Sequence, residues 1–209
     1  MAAAEHLFLK AAQSALLEQG FKKRTGQIYT KALTETVLGW LGLNRSIRRD
    51  ERLEVNPVIG IRHQPVERLV AQMTGEPFHE YIPPTLSTHL GYLSRENRYT
   101  PVLVGSEDQV ASSIEQLVRS LLTYGGTFME QHMDLGVVVD SLRNSKYTVP
   151  EQAGYRLPVA FYLTGDPGAA QAYLRAQLSS LGSRSDGAAV LYQEFSGRLS
   201  ELLSRSESA

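Results

Sequence analysis

The chain has 209 residues, 42% apolar and 21% charged, enough to bury a real core and too apolar for disorder to be its main state. Its formal net charge is −1, so no global field calls for nucleic acid, a membrane or an acidic partner. The absence of cysteine removes disulfides, thiolate catalysis and cysteine-based zinc sites together, and favours a reducing, cytoplasmic setting.

The opening stretch "MAAAEHLFLKAAQSALLEQG" lacks the basic leader of a secretory signal, and Glu5, His6 and Lys10 interrupt any apolar run. It reads as an amphipathic helix with one apolar set at Leu7, Ala11 and Ala15 and a second at Leu9, Leu16 and Leu17. No segment approaches the roughly 18 consecutive apolar residues that a spanning helix needs. Gly20 is placed to end the first helix in a left-handed turn.

Beyond Gly20 the period falls to two. Ile28 and Tyr29, then "TVLGWLGL" around Trp40, predict two strands, with "RSIRRDER" as the charged loop and flank before a third. In "EVNPVIGIRH", Val55, Pro57, Ile59 and Ile61 share one face, with His63 continuing it, while Arg62 lies on the other. Pro57 lacks an N–H, which marks its strand as an edge or as bulged there. "QPVERLVAQM" then switches to a helix with Pro65 near its start and Val66, Leu69, Val70 and Met73 at helical spacing. After a loop with prolines at 77, 83 and 84, "TLSTHLGYLSR" alternates again as a fourth strand, Leu86, Leu90 and Tyr92 facing one way and His89, Gly91 and Leu93 the other.

From Ser106 the pattern is helical. Ser106 with Gln109, and Thr148 with Glu151, have capping-box spacing, and Asp166 before Pro167 is an N-cap followed by a first-turn proline. The last helix offers Val190, Leu191, Phe195, Leu199, Leu202 and Leu203 as its buried stripe, and the polar tail "SRSESA" is expected to fray. Together these elements predict an α+β fold: a small, mostly antiparallel sheet of about four strands with flanking helices, then a C-terminal set of antiparallel helices. Residues 1–105 form the sheet region and 106–209 the helical region, packed on the sheet as one compact domain. Residues 1–105 carry 13 Lys/Arg against 10 Asp/Glu, and 106–209 carry 8 against 12, so the sheet region is the basic half.

The motifs of catalysis are missing. There is no phosphate-cradling glycine loop, since the glycines of "GWLGLN" precede neither a Lys-Ser/Thr pair nor a helix. Neither a GxSxG elbow, an SxxK pair, HExxH nor a Glu-x-Lys nuclease motif occurs. His63, His79 and His89 would form a metal site with Glu80 only if the strands brought them together, and nothing in their spacing forces that. No catalytic residue, metal site or cofactor is therefore assigned, and the sequence leans away from an enzyme.

Two binding readings are left. The basic stretch Lys22–Arg52, with Phe21, Tyr29 and Trp40 nearby, would suit nucleic acid, although Asp50, Glu51 and Glu54 dilute it and the pI of about 6.5 is low for such a protein. A protein partner is the leading reading, with Arg45, Arg48, Arg49, Arg62 and His63 as the surface positions that would carry it. No membrane partner is expected, and homodimerisation through the proline-marked strand stays open. The leading helix, "GFKKR" with a following "IY", "VNPVIGI" and "HLGYL" together resemble a family of uncharacterised bacterial domains found near toxin–immunity and mobile-element genes. The resemblance spans the N-terminal half. It implies an α+β domain with a binding role, most concretely an immunity or defence-associated protein that blocks its partner sterically, and it carries over no catalytic residues.

Overall fold

In the computed structural model, which describes residues 2–206, the chain passes three times between two structural units. One comprises Met1–Arg62 with Ser87–Met133, the other His63–Leu86 with Asp134–Ala209. The fold is α+β, with an antiparallel sheet, flanking helices and C-terminal helices as the sequence predicts.

The first unit opens with helix α1 (Ala2–Glu18), which stops before Gly20 at φ 83°. Its buried stripe is Ala4, Phe8, Ala12 and Leu16, whereas Leu7 and Leu17 are exposed. The periodicity was there to read, but the stripe lies one residue over from the predicted Leu7 set. Phe8 and Leu16 are fully covered, and each such side chain stabilises the fold by about 1.5–3 kcal/mol relative to exposure.

The sheet has six strands: β1 (Lys22–Lys23), β2 (Ile28–Ala32), β3 (Val37–Ile47), β4 (Leu53–His63), β5 (Leu86–His89) and β6 (Val102–Val104). Their order is β1-β2-β3-β4-β5, with β6 pairing separately with β4. The β2–β3 register sets Tyr29 opposite Leu41 and Thr30 opposite Trp40. The indole of Trp40 lies across Gly42, where a Cβ would sit 2.6 Å from the ring. That glycine relieves crowding on the pleated face and is not part of a phosphate cradle.

β4 has neighbours on both sides, so Pro57 does not mark an edge. Antiparallel pairing with β6 covers Leu53–Val55, ending two residues before Pro57, and β5 also neighbours β4. The charged stretch after Leu43 is also more ordered than the sequence suggested: β3 runs on through Arg45 to Ile47, and only the turn at 48–52 is loop.

The fourth predicted strand stops halfway. β5 ends at His89, and Leu90–Leu93 form a 3-10 turn. The reason is local, because the His89 imidazole accepts the Gly91 N–H and caps the turn, so alternation cannot continue. After β6, a 3-10 turn at Glu107–Gln109 leads into α3 (Val110–Ser120), a π-helical turn at Leu121–Gly125 and α4 (Gly126–Gln131). The capping box predicted for Ser106 is not formed. Ser106 makes no side-chain cap, and the Gln109 side chain accepts from Gly105 N instead.

The second unit is helical: α2 (Gln64–Thr74), α5 (Leu135–Arg143), α6 (Pro150–Leu163), α7 (Pro167–Leu181) and α8 (Gly187–Ser206). The last three residues of the predicted frayed tail lie outside the described residues. Asp166 caps α7 by accepting from Ala169 N, with Pro167 in the first turn as predicted. Thr148 does not cap α6, whose N-cap is Val149. On α8 the buried face is Ala189, Tyr192, Phe195, Leu199 and Leu203, while Val190 and Leu191 are exposed. Tyr155 meets Tyr192 and Phe195 edge-on, with ring centroids 5.3 and 4.9 Å apart. Between α2 and α6, Glu67 and Arg156 form a doubly hydrogen-bonded ion pair at 2.8 and 3.2 Å, buried on both sides. Among the described residues no helix is long and apolar enough to cross a membrane.

Candidate binding site

The five residues singled out from the sequence separate into two groups. Arg45, Arg48 and Arg49 lie on the exposed β3–β4 hairpin, where every residue from Asn44 to Glu51 is exposed. Arg62 and His63, at the far end of β4, are 1% and 4% exposed. They are core side chains of a strand flanked on both sides and do not belong to a surface. Position 62 was expected to face away from the apolar stripe, which it does, but that second face is covered as well.

Most of the hairpin charge is held internally. Arg45 pairs with Glu5 at 2.8 Å, Arg48 with Glu54 at 3.0 Å, and Arg52 grips Asp50 with two nitrogens at 2.9 and 2.6 Å. The Arg52 hydrogen bonds hold the Asp50 carboxyl below the usual carboxylate range. Arg49 makes no ion pair or hydrogen bond among the described residues, and Ile47, the last residue of β3 and two positions before it, is 52% exposed. A braced turn thus presents one uncommitted guanidinium beside one uncovered aliphatic side chain.

Behind the hairpin, the loop between the 3-10 turn and β6 is pinned to β4. The Tyr99 hydroxyl hydrogen-bonds Glu54 at 2.9 Å and contacts Asn56 Oδ1. That hydroxyl is the main cause of a lowered Glu54 pKa, with Arg48 adding to it. The Tyr99 ring lies 4.6 Å from that of His89, and Tyr92 meets the same imidazole edge-on at 5.7 Å. Because His89 Nδ1 accepts from Gly91 N, a neutral imidazole carries its proton on Nε2. That nitrogen is buried and has no hydrogen-bond partner among the described residues, and burial pushes the His89 pKa down. Gly91 is required here, since a Cβ would sit 2.5 Å from the Arg98 carbonyl oxygen.

Pinning this loop leaves a cavity of about 270 Å³ between it, β4 and α3. Its floor is apolar, formed by Pro57, Leu90, Val102 and Leu117. Gln116, Ser120 and Tyr124 line it from α3 and the π-helical turn, and Glu96 and Arg98 line it from the loop. In that turn Gly126 N bonds to Leu121 O, an i→i+5 closure that widens the helix where Tyr124 lines the cavity. The sequence reading missed this cavity, because its residues come from four separate segments and include no motif.

The conditional convergence of His63, His79 and His89 on Glu80, to which the sequence assigned no metal site, does not appear as a metal-binding group: among the described residues no three His, Asp or Glu side chains gather in such an arrangement. Compared with family models, curated proteins and solved structures, the chain matches none of them.

Proposed function

We propose that the chain is a non-catalytic protein-binding module that docks a partner on the tip of the β3–β4 hairpin and blocks it sterically. The observation that carries this reading is that the uncommitted Arg49 and the exposed Ile47 lie two residues apart at a turn held by the Arg48–Glu54 and Arg52–Asp50 ion pairs. Arginine beside an apolar anchor is the usual composition of an interface hot spot, and a preformed turn lowers the ordering entropy lost on docking. The partner surface that fits is apolar with an acidic rim, and the arginine speeds encounter with it. A cytoplasmic immunity or defence component is the most concrete form of this role. Nucleic acid is less well supported, because Glu5, Asp50 and Glu54 occupy the arginines that would otherwise contact phosphates.

The test is affinity capture from the source cells followed by calorimetry on the captured partner. Ile47→Ser with Arg49→Glu abolishes binding while circular dichroism stays unchanged. Undiminished binding by that variant refutes the reading. A gel shift that weakens steeply with salt would instead favour nucleic acid.

A further inference from the structure

The cavity behind the hairpin has features that the docking reading does not use. Arg98, Gln116, Ser120 and Tyr124 all line it, and none of these side chains makes a hydrogen bond among the described residues. Their chemistry is biased toward donors, with a guanidinium fork, an amide NH₂ and two hydroxyls. Ser94 is already committed to the Gly91 carbonyl and Thr100 to that of Arg98. Four uncommitted polar groups above an apolar floor describe a pocket that fixes the polar end of a ligand and buries its body.

We propose that this cavity binds a small monocarboxylate with an apolar body about the size of one aromatic side chain. Three observations select that class. Arg98, whose guanidinium fork can match a carboxylate in two parallel bonds, lines the cavity together with Ser120 and Tyr124, whose hydroxyls are further donors. Glu96 lies on the same wall, its carboxyl pKa lowered chiefly by its own backbone amide, with Arg98 and Arg95 adding to it. The Glu96 carboxylate repels an anion in proportion to its charge, so it works against a phosphate dianion more than against a monocarboxylate. The volume of about 270 Å³ lies just under the range of drug-sized pockets, so it admits a ring or branched chain and little more. The π-helical turn supports a functional role for the wall, because such turns concentrate at functional sites.

The carboxylate could belong to a free organic acid or to the C-terminus of a polypeptide, and the experiment separates the two. Calorimetry and ligand-observed NMR on the full chain would use phenylacetate, N-acetylphenylalanine, phenyl phosphate and phenethylamine. The expected result is one-to-one binding of a carboxylate, at least tenfold weaker binding of the phosphate and the amine, and at least a tenfold loss in Arg98→Gln. Ser120→Phe, which fills the cavity without touching Arg98, should abolish binding with no change in circular dichroism. Tighter binding of N-acetylphenylalanine than of phenylacetate assigns the site to a polypeptide C-terminus, and the reverse order to a free acid. The proposal is overturned if neither carboxylate binds at millimolar concentration, if the phosphate or amine binds as tightly, or if Arg98→Gln binds unchanged. Neither variant lies on the hairpin tip, so failure here leaves the docking reading standing, and the converse holds.

Discussion

Replacing Arg156 with methionine removes one half of a deeply buried charge pair. Glu67 and Arg156 side chains are 5% and 4% exposed and share two hydrogen bonds, at 2.8 and 3.2 Å. Methionine keeps most of the volume, so the main loss is the guanidinium and its two hydrogen bonds to the Glu67 carboxylate in a nearly dry site. Breaking a buried pair from one side costs about 3–5 kcal/mol, a large share of the roughly 5–15 kcal/mol that holds a typical protein folded. Gln152, which accepts from the same guanidinium at 2.6 Å, is exposed and can turn to water, so it adds little. With a urea dependence of about 2 kcal/mol per molar, the midpoint of the second unit should fall by about 2 M. Urea titrations followed by far-ultraviolet circular dichroism measure this directly. The double variant Glu67→Leu with Arg156→Met distinguishes a stranded charge from lost packing. It should recover to near the parent, because a matched apolar pair is often neutral or better at such a site. The reasoning fails if Arg156→Met costs less than about 1 kcal/mol, or if the double variant is as unstable as the weaker single one.

Three further outcomes follow from local geometry. His89 has a lowered pKa in the folded chain, so below its unfolded value near 6.5 the unfolded state takes up the proton first and stability falls with pH. His89→Asn keeps an acceptor for Gly91 N and should flatten that part of the pH–stability curve relative to the parent, measured by thermal melts from pH 7.5 downward. Asp166→Ala removes the acceptor for Ala169 N at the start of α7 and should cost about 1 kcal/mol, whereas Asp166→Asn should cost only a few tenths, both by urea titration. Gly91→Ala drives a methyl against the Arg98 carbonyl and should destabilise by about 1–3 kcal/mol, with faster amide exchange in the 94–100 loop by hydrogen-exchange mass spectrometry.

The fold class was legible because it rests on periodicity, and periodicity survives tertiary context. α1, the β2–β4 strands, α2 and the helical C-terminal part all follow from spacing alone. What periodicity leaves loose is phase. In α1, alanine and leucine occur on every side of the helix, so Ala4, Phe8, Ala12 and Leu16 could not be preferred over the Leu7 set without knowing what they pack against. α8 repeats the difficulty, where adjacent Val190 and Leu191 attract the eye more than Ala189 and Tyr192. Capping was legible only where the chemistry is unambiguous. Asp166 before a proline works as read, whereas Ser106 and Thr148 had spacing but lost to a competing amide and to Pro150. The candidate site divides along the same line. Arg45, Arg48 and Arg49 were findable because a charged turn between two strands is a local pattern, but the cavity depends on which distant segments the Tyr99 hydroxyl draws together.

The segment from Arg52 to Met73 shows how one misplaced inference spreads. Pro57 suggested an edge strand, an edge suggested accessible ends, and accessible ends made Arg62 and His63 into surface residues. The sheet order removes the first step. β4 has β3 on one side and both β5 and β6 on the other, an arrangement no single-strand pattern encodes. Its last four residues, Gly60 to His63, are all buried, so the alternation visible at Leu53–Ile59 gives way to coverage on both faces. A buried arginine at that position costs too much to keep without partners, and His63 N donates to the buried Thr85 hydroxyl at 3.0 Å, so the join is tied down. His63, tied through its backbone to Thr85, is also the N-cap residue of α2. The exposed end of the strand is the opposite one, where the hairpin carries Arg49 beyond the sheet.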